Sequence, residues 1–205
     1  DALVFIAGGA ITTVATTGDI NSVNNMLIDS AASITLGGNT VSSAGNITID
    51  AATFIAQNGN IQTQGASKTI ELIAQGGNIT MADGTSTVAN AGDISLKASN
   101  SIVSEIITTS ANVSLVASTG SITDIDANSK VSASALNMEA ATNIANAAND
   151  FNTNVSTIAT TSTSGSTFIE EDDAITVTNV SISINNVDTT ATDANLTTVT
   201  TTNDS

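Results

Sequence analysis

One short phrase returns four times between Gly45 and Ala98: Gly45-Asn46-Ile47-Thr48-Ile49, Gly59-Asn60-Ile61-Gln62-Thr63, Gly77-Asn78-Ile79-Thr80-Met81 and Gly92-Asp93-Ile94-Ser95-Leu96. Weaker copies flank it at Gly18-Asp19-Ile20 and Gly120-Ser121-Ile122-Thr123, so the same small unit is written along the chain at least as far as Thr123. Each copy joins a turn to a strand. Glycine supplies the positive φ of a tight turn, and Asn or Asp tolerates the left-handed region or bonds back to the backbone. The apolar-polar-apolar triplet that follows alternates sides as a pleated strand does. A turn-strand unit repeated at short intervals reads as a solenoid.

Further strands punctuated by Gly, Asn or Asp support this reading, among them Leu3 to Ile6, Ser33 to Leu36, Ile70 to Ile73 and Val113 to Val116. Strands so close together pair either as antiparallel hairpins in a sandwich or each on its own copy one coil later in a parallel β-helix. Residue types favour the helix. A sandwich of this size fills its gap with large aromatics, whereas this chain has four Phe, no Trp and no Tyr. A narrow solenoid needs only Ile, Val, Leu and Ala inside, with Asn and Thr able to ladder between coils. The expected fold is therefore all-β, with roughly 20 residues per coil, about ten coils and a rod of roughly 45 to 50 Å. In the phrase, Ile47, Ile79 and Ile94 are expected to point inward and Thr48, Thr80 and Ser95 outward.

From Ala133 to Asp150 the chain is rich in Ala and Asn. Leu136, Ala140 and Ile144 lie at helical spacing, but Leu136, Met138 and Ala140 also alternate, and strand is the preferred reading among strand neighbours. Near residue 150 the composition shifts to Thr and Ser, with strands expected at Val155 to Ile158, Phe168-Ile169, Ala174 to Val177, Val180 to Ile184 and Leu196 to Val199. The simplest expectation is one solenoid segment over residues 1 to 205, a piece of a longer or polymeric protein. The apolar strand at Asp1 to Ile6 and the uncapped stretch Thr200 to Ser205 suggest that one unit leads into the next.

The chemistry open to the chain is narrow. The formal net charge is −16, the only cations are Lys68, Lys97 and Lys130, and His and Cys are absent. Binding to a nucleic-acid backbone or an anionic membrane surface is disfavoured, and no apolar run reaches the length of a membrane span. Imidazole bases, thiol nucleophiles and soft metal ligands are missing, so the chain is read as a non-enzyme without catalytic residues or cofactor. Asp124 and Asp126, two apart, would share one side of a strand and form a glycosidase-like carboxylate pair, or else a solvated turn edge. The densest charge is Glu170-Glu171-Asp172-Asp173, whose repulsion a hard, oxygen-seeking cation such as calcium would relieve. The alternative there is a hydrated acidic loop.

The phrase with its following alanine, in Gly45 to Ala52 and in Gly92-Asp93-Ile94-Ser95-Leu96-Lys97-Ala98, resembles the repeats of filamentous haemagglutinin-like exoproteins, the giant bacterial surface adhesins. Covering about residues 18 to 125, the resemblance implies a right-handed parallel β-helix, export through a partner pore, and a place at the cell surface in a long fibre or adhesive stalk. The functional expectation is an extracellular structural or adhesive segment whose partners are further copies of itself, glycans or a neighbouring cell surface. The rival expectation is a carbohydrate-active β-helix enzyme or a carbohydrate-binding module.

Overall fold

In the computed structural model, which describes residues 1–14, 19–38 and 41–201, short strands follow one another around a triangular coil and each pairs in parallel with its counterpart one coil later. The fold is an all-β parallel solenoid of about seven turns, and no helix occurs among the described residues. Gly18 of the first weak phrase, Asn39 after Gly38, and Thr202 to Ser205 lie outside the described residues.

The first face carries the five-residue strands Met26–Ser30, Ile47–Ala51, Ile70–Ala74 and Ile94–Ala98, continued by Asn112–Ala117. The second carries Ile11–Thr13, Ile34–Leu36, Ile55–Gln57, Ile79–Met81, Ile102–Ser104 and Ile122–Asp124 in one six-stranded sheet. The third carries Ile20–Ser22, Val41–Ser43, Ile61–Thr63, Ser86–Ala89 and Ile106–Thr108. First and third faces become one sheet because the long strand Lys130–Ala140 bends around the corner, pairing with Ile106–Thr108 at its start and with Asn112–Ala117 at its end. The Ala-rich stretch is thus a strand as far as Ala140, as its alternation predicts, while the remainder to Asp150 is bends, turns and isolated bridges.

Stacking is in register. Met26, Ile47, Ile70, Ile94, Val113, Leu136 and Ile158 form one inward column, with a coil taking between 19 residues (Ile94 to Val113) and 24 (Ile70 to Ile94). Coils longer than expected, and a C-terminal stretch that leaves the coil path, reduce the expected ten coils to about seven. Ile28, Ile49, Leu72, Leu96, Leu115 and Met138 form a second column. Ala51, Ala74, Ala98, Ala117 and Ala140 form a third, small because it lies at the corner where the next face closes in. These columns make one continuous apolar core, whose only fully buried aromatic is Phe151.

The four glycine phrases are corners rather than coils. Those at Gly45 and Gly92 open strands of the first face two coils apart, while Gly59 opens Ile61–Thr63 on the third and Gly77 opens Ile79–Met81 on the second. Among the described glycines positive φ is found at Gly38 (81°) and Gly84 (75°), both outside the phrases, which corrects the expected role of the repeated glycines. Their requirement is space. A Cβ on Gly92 would lie 2.0 Å from the carbonyl oxygen of Lys68 in the preceding coil. The Asn and Asp that follow glycine ladder between coils: Asn46 N–H donates to Asn25 Oδ1 (3.0 Å), Thr69 N–H to Asn46 Oδ1 (2.8 Å), and Asn112 N–H to Asp93 Oδ1 (3.0 Å). Corner amides that the strand ladder leaves unpaired are satisfied in this way.

Beyond Phe151 the solenoid continues through Phe151–Ser162, Ile169–Glu171 and Thr176–Val177. It then stops. Val180–Val187 and Asp193–Thr201 pair antiparallel in a separate two-stranded sheet, where a continued solenoid was expected. The hairpin turns back along the rod and lies across the first face.

Candidate functional site

On the first face the residue after each of Met26, Ile47, Ile70, Ile94, Val113 and Leu136 points away from the core. These residues are Leu27, Thr48, Glu71, Ser95, Ser114 and Asn137, in register from coil to coil. A solvated row is expected, yet all six are buried, because the hairpin lies over this face. Thr80, in the equivalent place on the second face, is exposed as expected, while Thr48 and Ser95 are not. Val180, Ile182 and Ile184 of the hairpin form a second small apolar cluster with Ala159, against which Ala135 packs.

The covering strand is held through its backbone, one coil after another. Asn112 Nδ2 donates to the carbonyl of Ser181 (3.4 Å), and Ser183 N–H donates to Asp93 Oδ2 (2.7 Å). Asn185 N–H donates to Thr69 Oγ1 (3.1 Å), whose hydroxyl donates to the Asn185 carbonyl (3.2 Å), and Val187 N–H donates to Thr48 Oγ1 (2.9 Å). The hairpin therefore steps one coil toward the amino-terminal end for every two residues. Asn25 Nδ2 and Asn46 Nδ2 both reach Asp193 Oδ1, at 2.8 and 2.7 Å, and fasten the return strand. The same asparagines and aspartate that ladder the corners thus carry the hairpin on their second polar atom.

Glu71 is the one ionisable member of the covered row. It is 4 % exposed and accepts a hydrogen bond from Asn186 Nδ2. Burial pushes its carboxyl up to about 7; Lys97 opposes the shift and Asp50 adds to it. Asn137 keeps its Nδ2 on Ser114 Oγ (3.0 Å), but its buried Oδ1 has no partner.

The carboxylates singled out by sequence are placed elsewhere. Asp124 ends the strand Ile122–Asp124 and Asp126 lies in the turn beyond, so the two do not share one side of a strand. Asp124 accepts from Asn149 Nδ2 (2.6 Å) and from both the backbone and the side chain of Asn152 (3.1 Å each). Burial raises its pKa and these donors pull it back. Asp126 caps its own turn through the amides of Asn128 (2.7 Å) and Ser129 (3.3 Å). Glu171 folds back onto Thr153 Oγ1 (2.7 Å) and Val155 N–H, and Asp172 pairs with Lys130 (2.7 Å). Glu170 and Asp173 are exposed, and among the described residues no group of three or more acidic side chains is placed to hold a metal ion. Likewise, no helix is long and apolar enough to cross a membrane.

No family model matches the chain, and neither the curated proteins nor the solved structures contain a match to it.

Proposed function

We propose that this chain is a non-enzymatic structural or adhesive fibre segment, extracellular and of the haemagglutinin-like kind, that works by stacking on further copies of the same unit. The observation that carries the reading is the first coil. Its strands Leu3–Ala7, Ile11–Thr13 and Ile20–Ser22 each pair with the following coil only. Their far edges enclose an apolar hollow of about 390 Å³ lined by Leu3, Phe5, Ile11, Ile20, Ile28 and Leu36. Phe5 and Ile6 are 49 % and 55 % exposed. An open parallel edge above an apolar hollow is covered by one more coil of the same cross-section, and strand edges left uncovered template such growth. The in-register columns supply that cross-section at every level, and the polar outer faces are where glycans or a neighbouring surface would be held.

The test is electron microscopy with light scattering over a concentration series. Rods joined end to end, shortened to single units by Phe5→Asp, are expected. Single rods of about 35 Å at every concentration oppose the reading.

A further inference from the structure

The hairpin differs from every coil in three respects. Its two strands form a sheet of their own, so lifting it off unpairs no coil. It leaves the solenoid at Thr178 and Asn179, both exposed, directly after the paired strand Thr176–Val177. It also closes over a carboxyl group. Glu71 lies between Thr48 and Ser95 in the stack, with the amide of Asn186 above it.

The charges around Glu71 give it little relief. From the neighbouring coils Asp50 and Lys97 act on it with opposite sign, Lys97 itself being exposed. Asp93, at the start of the strand Ile94–Ala98, directs its carboxylate to Ser183 N–H. The hairpin contributes only acids, Asp188 at its turn and Asp193 beyond, because the chain's three cations all lie before residue 131. An ionised Glu71 is therefore a covered anion facing acidic neighbours and one lysine, and uncovering it returns it to water.

We propose that the C-terminal hairpin is a pH-gated strap, docked on the first face while Glu71 holds its proton and released as Glu71 ionises. The raised pKa of the covered carboxyl, about 7 against 4.5, gives the sign. An acid whose pKa is raised in the docked state favours docking fully below its free value. That preference declines as pH rises between the two values and is gone above the docked value. The window is thus about pH 4.5 to 7. Asn137 Oδ1, covered without a partner, regains water in the same step and lowers the cost of release. Release uncovers the polar row Thr48, Glu71, Ser95 and Ser114, and exposes the apolar side of the strap at Val180, Ile182, Ile184 and Val187.

Hydrogen exchange of the full chain at pH 5.5 and pH 8.5, corrected for intrinsic rates, tests this. The opening constant of amides in Val180–Val187 is expected to rise tenfold or more at the higher pH, while amides of Ile47–Ala51 and Ile94–Ala98 hold their protection. In Glu71→Gln the strap amides should show the same protection at both values. The coil amides in the same experiment report whether that variant folds, and Glu71→Leu, close in size and uncharged, provides a second pH-insensitive form. Equal strap protection in the wild type at both pH values overturns the proposal. So does a pH dependence that survives in both variants, which would assign the effect to a group other than Glu71.

Discussion

The backbone N–H of Val187 donates to the hydroxyl of Thr48 over 2.9 Å, tying the hairpin to a coil 139 residues earlier in the chain. Thr80 holds the same place in its own glycine phrase and faces solvent. Thr48→Ala leaves a buried N–H without an acceptor and should cost about 1 to 3 kcal/mol, read in the stability of the docked hairpin. Thr80→Ala should stay within about 0.5 kcal/mol. Denaturant melts that report each variant give the comparison, and equal costs would contradict the covered face.

The inward residues were legible because alternation has a fixed period. Ile47, Ile79 and Ile94 point into the core as the phrase predicts, and the alanine after it marks the corner column. The hairpin was not legible for the same reason. Val180-Ser181-Ile182-Ser183-Ile184 alternates like any coil strand, and period two does not say whether the partner is parallel or antiparallel. The row beneath the hairpin, Leu27, Thr48, Glu71, Ser95 and Ser114, has no shared chemistry. Its burial follows from long-range contact and leaves no local trace. The repeated glycines were read for backbone conformation when the constraint was distance between coils, and a sequence states both needs with the same letter.

Core deletion should separate the two hydrophobic clusters. Ile79 sits in the main core and Ile182 in the small one under the hairpin. Ile79→Ala should cost about 2 to 5 kcal/mol, the range for removing buried methyls, and lower the protection of the coils on either side. Ile182→Ala should unfasten the hairpin and leave coil protection unchanged. Amide exchange resolved by segment measures both, and coil loosening in Ile182→Ala would mean that the hairpin supports the solenoid rather than resting on it.

At the turn of the hairpin, pH should act in the opposite direction to its effect at Glu71. Asp188 accepts from Thr190 Oγ1 (2.7 Å), Thr190 N–H (2.8 Å), and Thr192 N–H and Oγ1 (3.0 Å each), and these donors lower its pKa from 3.8 to about 2. A carboxylate with a depressed pKa contributes order that is fully present above its free value and lost as pH falls through the depressed one. The amides of Thr190 and Thr192 should therefore lose protection between about pH 4 and pH 2, a range in which Glu71 is protonated. Asp188→Ala should show that loss at every pH. Amide shifts of the two threonines that stay flat through this range would remove Asp188 from the turn's support.

Glycine substitutions distinguish the two demands that the chain places on that residue. A Cβ on Gly92 would meet only backbone of the preceding coil, at 2.0, 2.4 and 2.9 Å from the O, C and N of Lys68, so no side chain can swing aside to admit it. Accommodation requires the coils to separate at a corner that is also fastened by the Ile70 N–H, which donates to the Asp93 carbonyl (3.1 Å). Overpacking of this kind costs about 1 to 3 kcal/mol or more. Gly84 has open space around its missing side chain but a φ of 75°, so its alanine variant bears only the left-handed penalty of about 1 to 2 kcal/mol. Gly8 has neither constraint, and Gly8→Ala should lie within about 0.5 kcal/mol of the parent. The expected order of destabilisation in denaturant melts is Gly92→Ala, then Gly84→Ala, then Gly8→Ala. Gly92→Ala should in addition loosen the hairpin at Ser183, whose N–H rests on Asp93, the residue next to the forced corner. A Gly92→Ala variant as stable as Gly8→Ala would show that the corner yields, and that close stacking is not why the phrase begins with glycine.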